Sequence, residues 1–223
     1  MNNLEQFFQV AIDGPAASGK STVAKLLAGR IGGYYINTGD MYRAVAWQAL
    51  VHGVAPEDVV KLLPSFDLRY RIVDGVPTLF LNDAVVPHDA IRSPEVSAIV
   101  SQVAAVPAVR EWMLDRQREC KEVGIVIMEG RDIGTVIFPQ AKFKFFVTAS
   151  PMERARRRLA QKGEVADGAT LESVAADIAR RDEIDSTRAV APLRPAEDAV
   201  TIMTDGISAE KVAELLAAAI RNA

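Results

Sequence analysis

Hydrophobic and polar residues follow two patterns along this chain, and each pattern predicts one kind of secondary structure. Short apolar segments predict buried strands at residues 8–13, 34–37, 124–128, 143–147 and 200–203. Segments with a helical spacing of apolar residues predict helices at residues 22–31, 39–50, 57–63, 93–103, 107–121, 151–161, 170–185 and 209–220. This alternation is typical of a doubly wound α/β fold, an open parallel sheet that binds its ligand at the carboxyl ends of its strands.

One stretch departs from the alternation of strand and helix. Residues 66–73 alternate apolar and polar side chains, as a half-buried strand does, and Asp74-Gly75 then predicts a hairpin turn. Two more short strands are predicted at residues 78–81 and 85–86. We therefore expect a small β-rich subdomain inserted at about residues 64–95. It would belong to a single domain of residues 1–223, whose core comprises about residues 1–63 and 96–223.

Composition narrows the possible partners and the compartment. The formal net charge is −3, so no broad basic surface is available for nucleic acid or an anionic membrane. The single cysteine, Cys120, excludes an intrachain disulfide, and with only two histidines the chain offers no zinc site. The sequence contains neither an apolar run of about 18 residues nor a signal-peptide pattern. We expect a cytoplasmic protein that binds neither nucleic acid nor membrane.

The most specific motif is G-x-x-x-x-G-K-S at residues 14–21, between the first predicted strand and the first predicted helix. Backbone N–H groups of such a loop surround a polyphosphate at a helix N-terminus. We expect Lys20 to reach the β- and γ-phosphate oxygens and the Ser21 hydroxyl to ligate Mg²⁺. The residues predicted to bind a nucleoside triphosphate are Gly14, Pro15, Ala16, Ala17, Ser18, Gly19, Lys20, Ser21 and Thr22.

Three classes of protein use such a loop: GTPase switches, ATPase motor or clamp modules, and small-molecule kinases. The D-x-x-G and N-K-x-D motifs of the first class do not occur in the sequence. Glu129 ends an apolar strand and is a candidate metal-organising acid, but it fits both remaining classes. Arginines near the predicted strand ends favour a kinase with a phosphorylated acceptor, because two anionic substrates must then be neutralised.

Four further segments resemble those of bacterial cytidylate kinases, and the resemblance runs from the first strand to the last helix. These segments are Thr38-Gly39-Asp40-Met41-Tyr42-Arg43, Ser101-Gln102-Val103-Ala104, Glu129-Gly130-Arg131-Asp132-Ile133-Gly134-Thr135 and Arg188-Ala189-Val190-Ala191-Pro192-Leu193. The resemblance implies a P-loop kinase fold, ATP as phosphoryl donor, Mg²⁺, CMP or dCMP as acceptor, and a monomeric protein. It also implies that the insertion binds the monophosphate and that a short lid lies at about residues 154–168. A kinase for UMP or shikimate, or a non-catalytic nucleotide switch, remains the alternative.

The same resemblance assigns roles to individual residues. The CMP phosphate would be bound by Thr38, Arg43, Arg131 and Arg188. The cytosine would contact Ser101, Arg110 and Asp132, and the sugar would contact Arg181 and Asp185. The expected catalytic residues are Lys20, Arg131, Arg158 and Arg188. Arg158 belongs to a run of arginines in the expected lid. Such a run is ordinarily a solvated helix face, but a kinase lid needs a cation that stabilises the transition state.

Residue chemistry supports these assignments. A carboxylate such as Asp132 can accept a hydrogen bond from the N4 amine of cytosine, whereas it would repel the O4 of uracil. Arg110 and Ser101 can donate to N3 and O2. If the helix predicted at residues 170–185 continues, Arg181, Asp185 and Arg188 share one of its faces.

Some residues depart from the family pattern or stay open. Asn37 stands where the family has an acid before the Thr-Gly pair, and Asp40 stands where a small residue is usual. Glu129 stands where an aspartate is common before Gly-Arg-Asp, which leaves its role open; the role expected of it is a contact with Mg²⁺ through water. Asp13, at the end of the first strand, is either structural or a further partner of the metal.

Overall fold

The computed structural model describes residues 7–161, 165 and 168–222. The strands are β1 (Gln9–Asp13), β2 (Tyr34–Asn37), β3 (Leu68–Val73), β4 (Val76–Leu81), β5 (Ala84–Val85), β6 (Val126–Gly130), β7 (Phe143–Thr148) and β8 (Val200–Met203). The α-helices are α1 (Lys20–Ile31), α2 (Thr38–Val51), α3 (His88–Ile91), α4 (Pro94–Ala105), α5 (Pro107–Glu119), α6 (Pro151–Leu159), α7 (Leu171–Thr187) and α8 (Ala209–Arg221).

A five-stranded sheet in the order β2-β6-β1-β7-β8 forms the centre of the fold, and every neighbouring pair of strands is parallel. The predicted doubly wound α/β fold is therefore confirmed. The strand predicted at residues 124–128 lies two residues further on, because Gly124 has a φ of +124° and the pairing with β1 extends to Gly130. Since all strands are parallel, their carboxyl ends meet at one edge of the sheet.

The predicted insertion is present as a separate three-stranded antiparallel sheet, β3-β4-β5. Asp74 and Gly75 both have positive φ, 50° and 77°, as a two-residue hairpin turn between β3 and β4 requires. Leu68 and Leu79 of this sheet pack in one hydrophobic cluster with Met41 of α2 and Val100 of α4. The small sheet thus shares its core with the helices beside it. The boundaries at about residues 64 and 95 stay a prediction.

Local structure differs from the predictions in four places. The helix predicted at residues 57–63 is a pair of short 3₁₀ turns, Pro56–Lys61 and Leu63–Ser65. A short helix, α3, and a π-helical turn at Ile133–Ile137 were not predicted. Helix α7 ends at Thr187, so Arg188 is its C-cap, with extended ψ, and does not share the helical face of Arg181 and Asp185. The condition for a shared helical face, that the helix continues to Arg188, is therefore not met.

The predicted lid begins inside α6, and residues 162–164 and 166–167 of it lie outside the described residues. Across the described parts of the chain, no helix combines the length and apolar character needed to cross a membrane.

Candidate active site

The phosphate-binding loop connects β1 to α1, as the motif predicts. Helix α1 begins at Lys20, two residues before the predicted start, so its N-terminal N–H groups point into the loop. Gly14 has a φ of +150°, and a Cβ built on it would lie 2.0 Å from the Val147 carbonyl oxygen. Only glycine fits there. Ala17 adopts the left-handed conformation, with a φ of +57°, inside the same loop.

Lys20 is buried inside the loop, with 5% of its surface exposed. Its Nζ donates to the Pro15 carbonyl at 2.7 Å and lies 3.5 Å from the Ser18 hydroxyl. Burial, and then the charge of Arg131, lower the pKa of Lys20 well below its usual value. Because the charged form of Lys20 is costly to bury, an anion bound beside it would stabilise that charge.

Two arginines of α6 hold carbonyl groups of the loop. Arg154 donates to the Ala16 carbonyl at 3.3 Å and also pairs with Asp182 of α7. Arg157 donates to the Ser18 carbonyl at 3.1 Å and contacts both oxygens of Thr204. These side chains fix the loop against α6, which is a structural role that the arginine run alone did not reveal.

Beside the loop lies a cavity of about 220 Å³. Its lining includes Gly19 and Thr22 of the loop and helix α1, the Arg157 guanidinium, and Thr204 and Ile207 after β8. Sequence reasoning missed the segment after β8. The only available signal was its position, because β8 ends at the same edge of the sheet as the loop.

A second cavity, of about 60 Å³, lies where β2, β6, α4, α5 and α7 meet. All predicted acceptor residues except Arg43 line it: Thr38, Ser101, Arg110, Arg131, Asp132, Arg181, Asp185 and Arg188. A larger cavity of about 530 Å³ shares Ser101 and Arg181 with it and extends to Ala16 of the loop and Arg158 of α6. Residues predicted from distant segments therefore line two adjoining cavities, the larger of which reaches the phosphate-binding loop.

Asp132 sits between two buried arginines at the base of the smaller cavity. Its Oδ2 accepts from Arg110 Nη2, and its Oδ1 lies 3.5 Å from Arg188 Nη2. The exposed fractions of the three side chains are 6%, 5% and 3% in the order Asp132, Arg110, Arg188. Such burial leaves ion pairing as the way to stabilise these charges. Arg110 Nε is buried without a hydrogen-bond partner among the described residues.

A second acid-arginine pair lines the same cavity. Arg131 Nε donates to Asp185 Oδ2 at 2.8 Å, and Arg188 Nη1 lies 3.8 Å from Asp185 Oδ1. Burial of Asp185 opposes ionisation, but Arg131, Arg181 and Arg188 outweigh it, so its pKa is lowered. The acid therefore pairs with Arg131 of the neighbouring segment.

Three further buried arginines lie close enough for their charges to affect one another. Burial lowers the pKa of Arg43 to about 9, with Arg181 the next cause. Burial lowers the pKa of Arg158 to about 9 and that of Arg181 to about 10, and neighbouring arginines add to both shifts. Arg43 lies behind the cavity wall, where its Nη1 donates to the Ile91 carbonyl and the Ser97 hydroxyl, each at 3.0 Å. Cations at this density favour the binding of a polyanion.

Glu129 lies at the carboxyl end of β6 with 3% of its surface exposed. Its carboxylate accepts a hydrogen bond from the Tyr35 hydroxyl, and its backbone carbonyl accepts one from Thr38 at 2.8 Å. Tyr35 was not predicted as a site residue, and nothing in the apolar pattern of β2 marks it. Asn37 caps α2 by accepting from the Gly39 N–H at 2.9 Å.

Two other departures from the family pattern also have structural partners. Asp40, in the first turn of α2, pairs with Arg92 near α3. Asp13 accepts from the backbone N–H of Ile133 and of Gly134, at 2.8 Å each. Asp13 thus contacts the backbone of the segment after β6, and the choice between a structural role and a partner of the metal stays open.

A phosphate-binding loop on a parallel sheet, opposite a cleft of arginines and carboxylates, defines a phosphotransferase of the P-loop class. A sequence model of the family described as cytidylate kinase matches residues 10–222. The chain belongs to the cytidylate kinase family.

Relatives agree with this assignment. The cytidylate kinase of Streptococcus thermophilus (strain LMD-9) is 44% identical over 213 residues, covering 93% of each protein. The bifunctional pantoate ligase/cytidylate kinase of a Synechocystis species is 47% identical over 216 residues. The match covers 93% of this chain but only 41% of that longer protein.

Among solved structures, an uncharacterized protein from Eubacterium ventriosum matches with a TM-score of 0.53 at 12% identity, covering 98% of this chain and 100% of the other. Shikimate kinase from Bacteroides thetaiotaomicron matches with a TM-score of 0.51 at 13% identity, covering 97% of each chain. At these identities the matches show the fold alone.

Proposed function

We propose that this protein transfers the γ-phosphoryl group of ATP to CMP, and also to dCMP, giving ADP and the cytidine diphosphate. The observation that carries the proposal is a pair of adjoining cavities. Arg131, Arg181, Arg188 and Asp132 line the smaller one, and the larger one extends from Arg181 to Ala16 of the phosphate-binding loop. A site for the nucleoside triphosphate alone would also be found in a non-catalytic nucleotide switch. A second, arginine-lined pocket beside it supports transfer to a phosphorylated acceptor.

In the proposed reaction an oxygen of the CMP phosphate attacks the γ-phosphorus in line, so no protein nucleophile is needed. Lys20 and the loop amides hold the phosphates of ATP, and bound phosphate oxygens favour the charged form of Lys20, opposing the effect of burial on its pKa. Arg131, Arg158 and Arg188 gather the charge that develops on the transferred group. Thr38 holds the acceptor phosphate, and Arg43 joins it by leaving the Ile91 carbonyl and the Ser97 hydroxyl.

Base selection follows from the donor and acceptor pattern of the smaller cavity. The carboxylate of Asp132 accepts from the cytosine N4 amine, and Arg110 and Ser101 donate to N3 and O2. Uracil would place its O4 oxygen against the same carboxylate, which is unfavourable in a buried pocket. Arg181 and Asp185 contact the ribose.

The residues present fit a magnesium ion, which prefers oxygen ligands. Ser21, in the first turn of α1, offers a hydroxyl, and the Glu129 carboxylate lies at the adjacent strand end and would act through water. Within the described residues, no group of three or more His, Cys, Asp or Glu side chains could hold a metal by itself. A site of this kind depends on phosphate oxygens to complete it. When bound, Mg²⁺ neutralises charge on the β- and γ-phosphates.

Closure of the cleft would exclude water and so prevent hydrolysis of ATP. The acceptor cavity of about 60 Å³ holds only a few water molecules. Binding of a nucleotide therefore requires the walls to separate before they close around it. We also propose a monomer acting in the cytoplasm, because one chain supplies both halves of the site and ATP is abundant in that compartment. Sedimentation of the purified protein tests the monomer.

The test is a coupled assay of ADP release with CMP, dCMP, UMP, AMP, GMP or shikimate as acceptor. We expect CMP and dCMP to stimulate release strongly. Lys20→Ala should abolish transfer in a folded protein, whereas Lys211→Ala, on the exposed face of α8, should leave it unchanged. Preference for UMP or shikimate would overturn the assignment of CMP. Release that no acceptor stimulates would instead identify a nucleotide switch.

A further inference from the structure

Asp13 occupies a position between the two halves of the cleft. It is the last residue of β1 and directly precedes Gly14, where the phosphate-binding loop begins. Both oxygens of its carboxylate face the segment that follows β6. Oδ1 accepts from the Ile133 N–H and Oδ2 accepts from the Gly134 N–H, at 2.8 Å each.

The segment held in this way carries two of the acceptor residues. Arg131 and Asp132 lie directly before Ile133, and the π-helical turn Ile133–Ile137 follows them. Asp132 has a φ of −148° and a ψ of 25°, outside both helix and strand, and its carbonyl accepts from the N–H of Val136 at 2.9 Å. An irregular connection of this kind keeps its side chains in place only when neighbouring groups fix the backbone.

Asp13 is also costly to ionise, which points to a use for its charge. It has 3% of its surface exposed, and burial raises its pKa to about 6, although the two backbone hydrogen bonds lower it. The charged groups around it are Asp132, which raises this pKa, and Lys20 of α1, which lowers it. The aliphatic chain of Lys144 of β7 lies on the same side of Gly134 as the Asp13 carboxylate, but its ammonium is paired with Asp198.

We propose that Asp13 is a positioning residue: its carboxylate fixes the segment that carries Arg131 and Asp132 relative to the phosphate-binding loop, and so sets the distance between acceptor and donor. This proposal rests on the proposed function. A carboxylate accepts both N–H groups, whereas a protonated acid or an amide accepts only one and turns a donor toward the other. Loss of the charge should therefore loosen the acceptor side of the site and leave the donor side nearly unchanged.

The experiment compares Asp13→Asn with Asp205→Asn. Asp205 is the matched control for the acceptor side, because its carboxylate also accepts a backbone N–H, from Ser150 at 2.9 Å, but holds no part of the segment that carries the acceptor residues. We expect Asp13→Asn to raise the KM for CMP about tenfold, the effect of losing one charge-assisted hydrogen bond. The Kd for a fluorescent N-methylanthraniloyl ADP should change less than about twofold. An equal loss on both sides would overturn the proposal.

One further measurement does not depend on activity. Amide hydrogen exchange across residues 130–138 should quicken in Asp13→Asn, whereas residues around Ser150 should show no such change. Unchanged exchange would refute the proposal even if the enzyme phosphorylates CMP. Conversely, faster exchange in a protein inactive on CMP would support the positioning role of Asp13 and reject only the proposed function.

The pH profile gives a last check. The wild-type kcat/KM for CMP should fall below about pH 6, where Asp13 takes up its proton. The CMP phosphate titrates in the same range, so the comparison is between two proteins with the same substrate. Asp13→Asn should retain only the substrate's limb of the profile. Identical profiles would count against a role for the Asp13 charge.

Discussion

Replacement of Asp132 tests the proposed reading of cytosine most directly. Its carboxylate lies between Arg110 and Arg188, and all three side chains are almost fully buried. Asp132→Ala removes the acid and leaves two buried cations without it. Asp132→Asn keeps the shape of the side chain but presents an amide N–H₂ where the carboxylate accepted.

The magnitude follows from the contacts. Removing one partner from a buried ion pair costs about 3–5 kcal/mol of stability, so Asp132→Ala should unfold at a clearly lower urea concentration. A hydrogen bond to a charged group contributes about 1.5–3 kcal/mol. At about 1.4 kcal/mol for each factor of ten, the preference for CMP over UMP should fall by about 10- to 100-fold.

The assay is the ratio of kcat/KM for CMP to kcat/KM for UMP, measured on folded protein below its unfolding temperature. Asp132→Asn should lower this ratio further than Asp132→Ala, because its amide can donate to the O4 of uracil. Asp198→Asn, which loses an exposed partner of Lys144, is the control for the change of charge. A ratio unchanged within about twofold would refute the reasoning, since cytosine would then be recognised by other groups.

Further predictions concern the donor side and the stability of the fold. Gly14→Ala should destabilise the protein by about 3 kcal/mol or more in urea unfolding, because the new Cβ collides with the Val147 carbonyl at a positive φ. By contrast, Gly29→Ala, in open space on α1, should stabilise it by about 0.5–1 kcal/mol. Equal effects of these two changes would contradict the geometry. Arg157→Ala should raise the KM for ATP about tenfold or more through lost hydrogen bonds to the loop, and a matching rise for CMP would argue against this anchoring role. The raised pKa of Asp13 means that its contribution to stability is full below the unfolded value of 3.8 and is lost as the pH rises through about 6. Asp13→Asn should therefore gain up to about 3 kcal/mol relative to wild type between pH 4 and pH 7, and a difference independent of pH would contradict this.

Much of the fold could be predicted because its signals are local. The run Ile125-Val126-Ile127-Met128 marks a strand buried on both faces, and β6 lies inside the parallel sheet. Asp74-Gly75 marks a hairpin turn because few other residues adopt its positive φ values. The phosphate-binding motif fixes strand, loop and helix together. In each case neighbouring residues carry the whole physical reason.

The remainder depends on contacts between distant segments, for which a single sequence has no local signal. Tyr35 reads as an ordinary strand residue, yet its hydroxyl contacts Glu129. Arg154 and Arg157 read as part of a charged helix face, yet they bind loop carbonyls more than 130 residues earlier in the chain. The end of α7 at Thr187 was equally hidden. Beyond it the Arg188 Nε donates to the nearby Ala191 carbonyl at 2.7 Å, while its Nη2 lies 3.5 Å from Asp132 in a distant segment.

The acceptor pocket already contains both signs of charge, and this determines how a nucleotide can enter it. Asp132 is paired with Arg110, and Asp185 is paired with Arg131. These pairs stabilise buried arginines that would otherwise repel one another. Under the proposed function, a nucleoside monophosphate would bind by exchanging partners: its phosphate would replace Asp185 at Arg131, while its sugar and base would take up the released carboxylates. Because the free energy of breaking these ion pairs offsets part of the free energy of binding the nucleotide, such a pocket favours discrimination between bases over tight binding.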